Sequence, residues 1–150
     1  MLWFAIAVSS NLQSQTVPWI AFDSIEQVLH THPKPIMIFI YTDWCKVCAL
    51  QEETTYSDPT TIELLSEEFH CIKLNAAERD SIYFLGRTYH YKPSGVSDGM
   101  HELAEILAHN NGSRVFPTTT FMTPQFEVAY AHAGLLRIKD LQKIQQHLIP

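Results

Sequence analysis

The chain has 150 residues, 46% hydrophobic and 17% charged, which suits one domain with a core of its own. Against 10 basic residues stand 16 acidic ones, a net charge of −6 that argues against a nucleic-acid partner and against adsorption to anionic lipid. With 3 cysteines the chain is not a disulfide-stapled scaffold, and no second Cys pair or matching His pair completes a structural zinc site, so no metal is expected.

Leu2 to Val8 is an apolar run, followed by Ser9, Ser10 and a polar stretch to Thr16. It is much too short to span a bilayer, so no stable membrane span is expected. Residues 1–15 read as a signal peptide or N-terminal extension, cut after Ser10 or Ser14 in the first case. No Lys or Arg precedes Lys34, so the basic start of a secretory signal is missing, and a short N-terminal strand is the alternative. Residues 18–150 are expected to form the domain.

Phe22, Ile25, Val28 and Leu29 are spaced as one face of a helix, which Pro33 and Pro35 end. Residues 36–41 are a continuous apolar run and read as a central strand buried on both faces. Asp43 or Trp44 then opens a helix to about Tyr56. Asp58 and Pro59 are a cap and first-turn signal for another, with Ile62, Leu64, Leu65 and Phe69 on its apolar positions. Residues 70–74 alternate as a strand, Cys71 and Lys73 on one side, Ile72 and Leu74 on the other. Ala76 to Tyr89 has a helical pattern, 90–99 reads as loop, and Met100 to Ala108 as a helix closed by Asn110-Asn111-Gly112. Residues 115–122 form a strand led by Pro117, Phe126 to Tyr130 pairs with it, and Arg137 to Ile149 is an amphipathic helix. The result is an α/β fold, a mixed sheet with helices on both faces.

The chemistry concentrates at Trp44-Cys45-Lys46-Val47-Cys48. Two cysteines separated by two residues at a strand-to-helix junction can open and close a small disulfide ring. A helix N-terminus favours an anion, so Cys45 is the expected attacking thiolate, with the adjacent Lys46 available to tune it. Cys48, one turn on, is the expected resolving cysteine. A structural disulfide or half a zinc site is the plainer reading of the pair. Trp44 is either packing or an aromatic wall for a partner. Cys71 reads as a small core residue.

The element order and the WCxxC placement resemble the thioredoxin fold. Tyr41 to Cys48, Glu52 and Tyr56-Ser57-Asp58-Pro59 are particularly similar to the C-terminal domain of the DsbD group and its stand-alone relatives. The resemblance covers roughly residues 20–149 and implies a thiol–disulfide oxidoreductase that reduces protein disulfides. It implies a cis peptide at Phe116–Pro117, with Phe116 and Pro117 lying against the cysteines to bind an extended substrate segment. Two departures matter. Phe39 stands where thioredoxins bear a buried acid, so Glu52 is the carboxylate left to move protons. Residues 90–114 exceed the minimal thioredoxin connection, so a helical insertion is expected before the proline strand. The implied partners are protein disulfides and a thiol electron donor, with no cofactor beyond the cysteine pair. A monomer is expected, exported to a periplasm, with the cytoplasm as alternative. A non-enzymatic binding module with a redox-sensing CxxC is the second functional reading.

Overall fold

The computed structural model describes residues 16–96, 98–108 and 114–149. The expectation for residues 1–15 lies outside them. The elements run β1 (Trp19–Ile20), α1 (Phe22–Thr31), β2 (Ile36–Tyr41), α2 (Lys46–Thr54), α3 (Pro59–Glu68), β3 (His70–Asn75), β4 (Ile82–Phe84), β5 (Arg87–Tyr89), β6 (Tyr91–Ser94), β7 (Asp98–His101), α4 (Glu102–Leu107), β8 (Thr118–Met122), β9 (Val128–Ala133) and α5 (Ile138–Leu148).

The main sheet has the order β1-β3-β2-β8-β9. β1 and β2 flank β3 in parallel, while β8 runs antiparallel to both β2 and β9. The apolar run of β2 supplies the middle strand, and its side chains alternate between two cores. Ile36, Ile38 and Ile40 pack with Phe22, Ile25 and Leu29 of α1 and Leu103 and Leu107 of α4. Met37 and Phe39 pack on the other face with Ile62 and Leu65 of α3 and Leu141 of α5. β8 buries three successive threonines, whose hydroxyls are satisfied. Thr118 Oγ1 donates to Val115 O (2.7 Å) and Thr120 Oγ1 to Leu107 O (2.7 Å), while Thr119 Oγ1 meets Gln51 of α2 on the opposite face. The hydrogen bond from Thr61 N to the Asp58 carboxylate (2.8 Å) caps α3, with Pro59 in its first turn.

The segment between β3 and β8 departs from expectation. Residues 76–89 contain no helix; β4 and β5 form a hairpin around Leu85 (φ 50) and Gly86 (φ 73). Two successive residues with positive φ make the tight turn whose twist suits a hairpin. Ile82, Phe84, Leu85 and Tyr89 fit a helical period, but Tyr83 is exposed between buried Phe84 and half-buried Ile82, so period two wins. Where a loop is expected, Tyr91–Ser94 and Asp98–His101 pair as a second hairpin, β6 with β7. Gly99 fits there because a Cβ would collide with the Tyr91 ring and the Lys92 carbonyl. The expected helix from Met100 shortens to α4, since Met100 and His101 belong to β7. The expected helix of the insertion is present as α4, preceded by a hairpin. Two smaller shifts follow: β8 starts at Thr118, and Phe126 sits in the turn (φ 64) before β9. β1, two residues long, is too short to show a period in the sequence.

His101 joins these hairpins to α4. It has no exposed surface, and its Nδ1 accepts from Leu103 N (3.2 Å) as the cap of the helix. Burial pushes its pKa below the ordinary imidazole value, against the opposing pull of the Asp80 main chain and the Glu78 and Glu102 carboxylates. The unfolded chain therefore takes up a proton that the folded imidazole resists. The stability His101 contributes is complete above its unfolded pKa of roughly 6.5 and falls as pH drops through that value toward the lower folded one. The urea midpoint of the wild-type protein should fall between about pH 7 and about pH 5, and less steeply in His101→Asn, whose amide can still cap α4.

Candidate active site

β2 ends at Tyr41, and the turn after it delivers Cys45 to the start of α2, with Cys45 N donating to Thr42 O (3.2 Å). Cys45 is the N-cap residue in extended conformation, and its Sγ accepts from Cys48 N (3.1 Å). The expected helix start at Asp43 or Trp44 thus moves two or three residues on, to Lys46, and the sulfur lies among the free N–H groups of the first turn. Cys45 and Cys48 form a disulfide, with Cα atoms 5.2 Å apart. Cys45 is half-buried, whereas Cys48 is 1% exposed. One sulfur is open to a partner and the other is held behind it.

The Phe116–Pro117 peptide is cis. Phe116 packs against both cores, as Cys45 does against the α2-side core, and its ring meets Trp44 edge-on with centroids 6.4 Å apart. Trp44 is 74% exposed, so most of its ring stands free beside the cysteines. Gly134 N donates to Pro117 O (2.7 Å), which fixes the loop before α5 against the proline strand.

Residues 18–96, more than half of the chain, match the thioredoxin-like family. The chain belongs to the thioredoxin-like family. Among curated proteins, the thiol:disulfide interchange protein DsbD of Campylobacter jejuni (strain RM1221) is 32% identical over 60 residues, covering 40% of this chain and 10% of that protein. The DsbD of Campylobacter jejuni subsp. jejuni serotype O:2 aligns to the same extent. The chain thus aligns with about a tenth of the length of the curated relatives it matches. Among solved structures, a DsbH oxidoreductase superposes with a TM-score of 0.62 at 13% identity, covering 98% of this chain and 94% of that one. A thioredoxin from Thermus thermophilus gives 0.61 at 16% identity, covering 88% and 86%. The oxidised DsbD C-terminal domain of Neisseria meningitidis gives 0.55 at 16% identity, covering 84% and 90%. At such identities these likenesses establish the fold. Thioredoxin-like fold and CxxC disulfide together are of the thiol–disulfide oxidoreductase type.

Within this thioredoxin-like site, Phe39 is fully buried, stacked on Tyr41 with ring centroids 5.4 Å apart and edge-on to Tyr56 at 5.1 Å. An aromatic cluster completed by Trp19 fills the strand position where a thioredoxin acid would sit. Glu52 of α2 reaches instead to Lys73 of β3, with Oε2 and Nζ 2.8 Å apart. Lys73 is the strand partner of Phe39, and its Nζ also lies 4.5 Å from the centre of the Tyr41 ring. Burial raises the Tyr41 phenol above its ordinary pKa even with Lys73 beside it. Glu52 is thus one half of an ion pair, a partnership the sequence reading did not anticipate. The signal was present: a lone cation on the cysteine-side face of a mostly buried strand needs a carboxylate.

Lys46 is exposed and has no ion-pair partner among the described residues. Cys71 has no exposed surface, and burial pushes its thiol up to about 12, which leaves it inert as a nucleophile. Two further contacts shape the site without a sequence signal. Asn75 Nδ2 donates to Asp43 Oδ2 (2.9 Å), tying the end of β3 to the turn before Trp44. Fully buried Gln51, one turn after Cys48, anchors α2 to β8 and to Leu136.

Proposed function

We propose that the protein reduces disulfides of other proteins by exchange through Cys45 and Cys48. The observation that carries this reading is Cys45 Sγ at the N-cap of α2, half-exposed and accepting from Cys48 N at 3.1 Å. In the reduced protein that N–H and the helix dipole favour the thiolate. Cys45 attacks one sulfur of the partner disulfide, forming a mixed disulfide and releasing one partner thiolate, which takes up a proton. The Cys48 thiolate then attacks Cys45 Sγ, closes the Cys45–Cys48 bond and releases the second partner thiolate. The two electrons are restored by a thiol donor. Trp44, Phe116 and Pro117 form the wall along which an extended partner segment lies, main chain against the proline loop. Glu52, held by Lys73, is the carboxylate assigned to proton transfer, and Lys46 adds positive charge at the helix start.

The similarity to DsbD supports the reducing direction, and the apolar run before Ser9 supports work in an exported, periplasm-like compartment. No helix among the described residues is long and apolar enough to cross a membrane. The test is twofold. The wild-type protein should accelerate insulin disulfide reduction over a dithiol donor alone. In glutathione buffers the Cys45–Cys48 pair should have a potential near about −270 mV, the value of reducing thioredoxins, not about −120 mV, that of a strong oxidant. No acceleration, or an oxidising value, sinks the reading.

A further inference from the structure

A second surface adjoins the redox site on the far side of α2. Val47 and Leu50 are 43% and 44% exposed although they sit on the cysteine-bearing helix. Leu50 and Thr54 form one wall of an open groove of about 530 Å³, and Leu135, Ile138 and Gln142 form the other. The floor closes where Thr55 Oγ1 donates to Leu136 O (2.7 Å). Its upper end lies one residue from Gly134, whose N–H holds the Pro117 carbonyl. Leu135 thus joins the groove along the chain to the segment that Gly134 holds against the proline strand.

The chain carries a net charge of −6, yet the charged residues lining this groove are Arg137 and Lys139. The ion pairs among the described residues engage Lys73, Arg87, Lys92 and Arg114, and leave Arg137 and Lys139 without carboxylates. Both are exposed. An apolar trough with an unpaired cationic rim fits a segment that combines apolar anchors with carboxylates.

We propose that this groove binds an extended, acidic and apolar segment flanking the disulfide of the partner protein, and so selects which disulfides reach Cys45. The proposal rests on the exchange reading above and names the chemistry of the partner. Steering by opposite charge in a partly desolvated groove raises the encounter rate and discriminates against basic partners.

The test uses two synthetic peptides that share one neutral disulfide loop. One carries a tail of alternating Leu and Asp, the other the same tail with Lys in place of Asp. Hydroxyethyl disulfide, small and uncharged, serves as a third substrate. The wild-type protein should reduce the acidic peptide with a kcat/KM roughly tenfold above that of the basic one, and the ratio should shrink as salt is raised. The double variant Arg137→Glu/Lys139→Glu should invert the preference while reducing hydroxyethyl disulfide at the wild-type rate; Arg137→Gln/Lys139→Gln should abolish it without inversion. Equal rates on the two peptides, with hydroxyethyl disulfide still turned over, overturn the groove and leave the exchange reading standing. No turnover of any substrate removes the exchange reading itself. A wild-type dimer in sedimentation that the charge-reversed variant loses assigns the groove to a second copy of this chain and overturns the proposal.

Discussion

Cys45→Ser should lower insulin reduction by on the order of 10³-fold or more, to the rate of the dithiol donor alone, because no other described sulfur can replace Cys45. Cys48 is 1% exposed and Cys71 is fully buried with its thiol held protonated, so neither offers a thiolate to a large partner. Cys48→Ser should fail differently. Cys45 remains at the helix N-terminus and still attacks, but nothing displaces the partner from it. The variant should accumulate a mixed disulfide with substrate, visible as an added mass on intact-protein mass spectrometry and removed by dithiothreitol. The asymmetry between the variants follows from burial: the half-exposed sulfur begins the exchange and the covered one ends it. If both variants lose activity alike with no adduct on Cys48→Ser, Cys45 is not the attacking residue. If Cys45→Ser reduces insulin at the wild-type rate, the pair is structural.

The placement of these two cysteines was legible because it depends on local patterns. The apolar run of β2, the cysteines after it and the Asp58-Pro59 cap are each written in a few consecutive residues, and each lies close to where it was expected. The resemblance supplied what spacing alone does not, the approach of the Phe116 loop to Trp44, distant in sequence. Where the reading failed, two local codes competed. Ile82, Phe84, Leu85 and Tyr89 satisfy a helix on paper, but with Gly86 in the turn the hairpin buries Phe84 against Phe22 and Phe126. β1 exists only because β3 offers it an edge, a tertiary fact. Glu52 was expected to move protons; the packed structure adds Lys73 across from it, a partner the local pattern does not show. Gln51 gave no signal at all. A glutamine in a helix of mixed polarity reads as solvent-facing, and only the packed structure turns it inward.

That buried amide carries a large stability effect for a polar side chain. Gln51 has no exposed surface and its side chain is satisfied on both sides: Oε1 accepts from Leu136 N (2.7 Å), while Nε2 donates to Tyr56 Oη (2.9 Å) and Thr119 Oγ1 (3.2 Å). Gln51→Leu keeps the approximate volume but strands the Leu136 N–H and removes the donor shared by the two hydroxyls. Tyr56 Oη and Thr119 Oγ1 already lie 3.5 Å apart and can turn to each other, so the main loss is the orphaned backbone donor plus the lost amide bonds, together roughly 3 kcal/mol. For a domain of this size that lowers Tm by about 6–12 °C. Thr119→Val removes a single partner and should cost only about 1 kcal/mol. Gln51→Glu separates hydrogen bonding from charge. A carboxyl there still accepts from Leu136, but its ionised form is buried among neutral groups, so its folded pKa rises above the unfolded value of about 4.3. The variant should come nearest to wild-type stability below that pH and fall progressively behind as pH rises toward 7. Function should follow stability, because Gln51 ties the helix that carries Cys48 to β8 two residues after Pro117, and to Leu136 two residues after Gly134, which in turn holds the Pro117 carbonyl. Loosening that one amide cuts the tie of the cysteine helix to β8 and leaves it joined to the Leu136 segment through Thr55 Oγ1 on Leu136 O. Equal urea midpoints for Gln51→Leu and wild type would show that α2 is held by its apolar contacts alone.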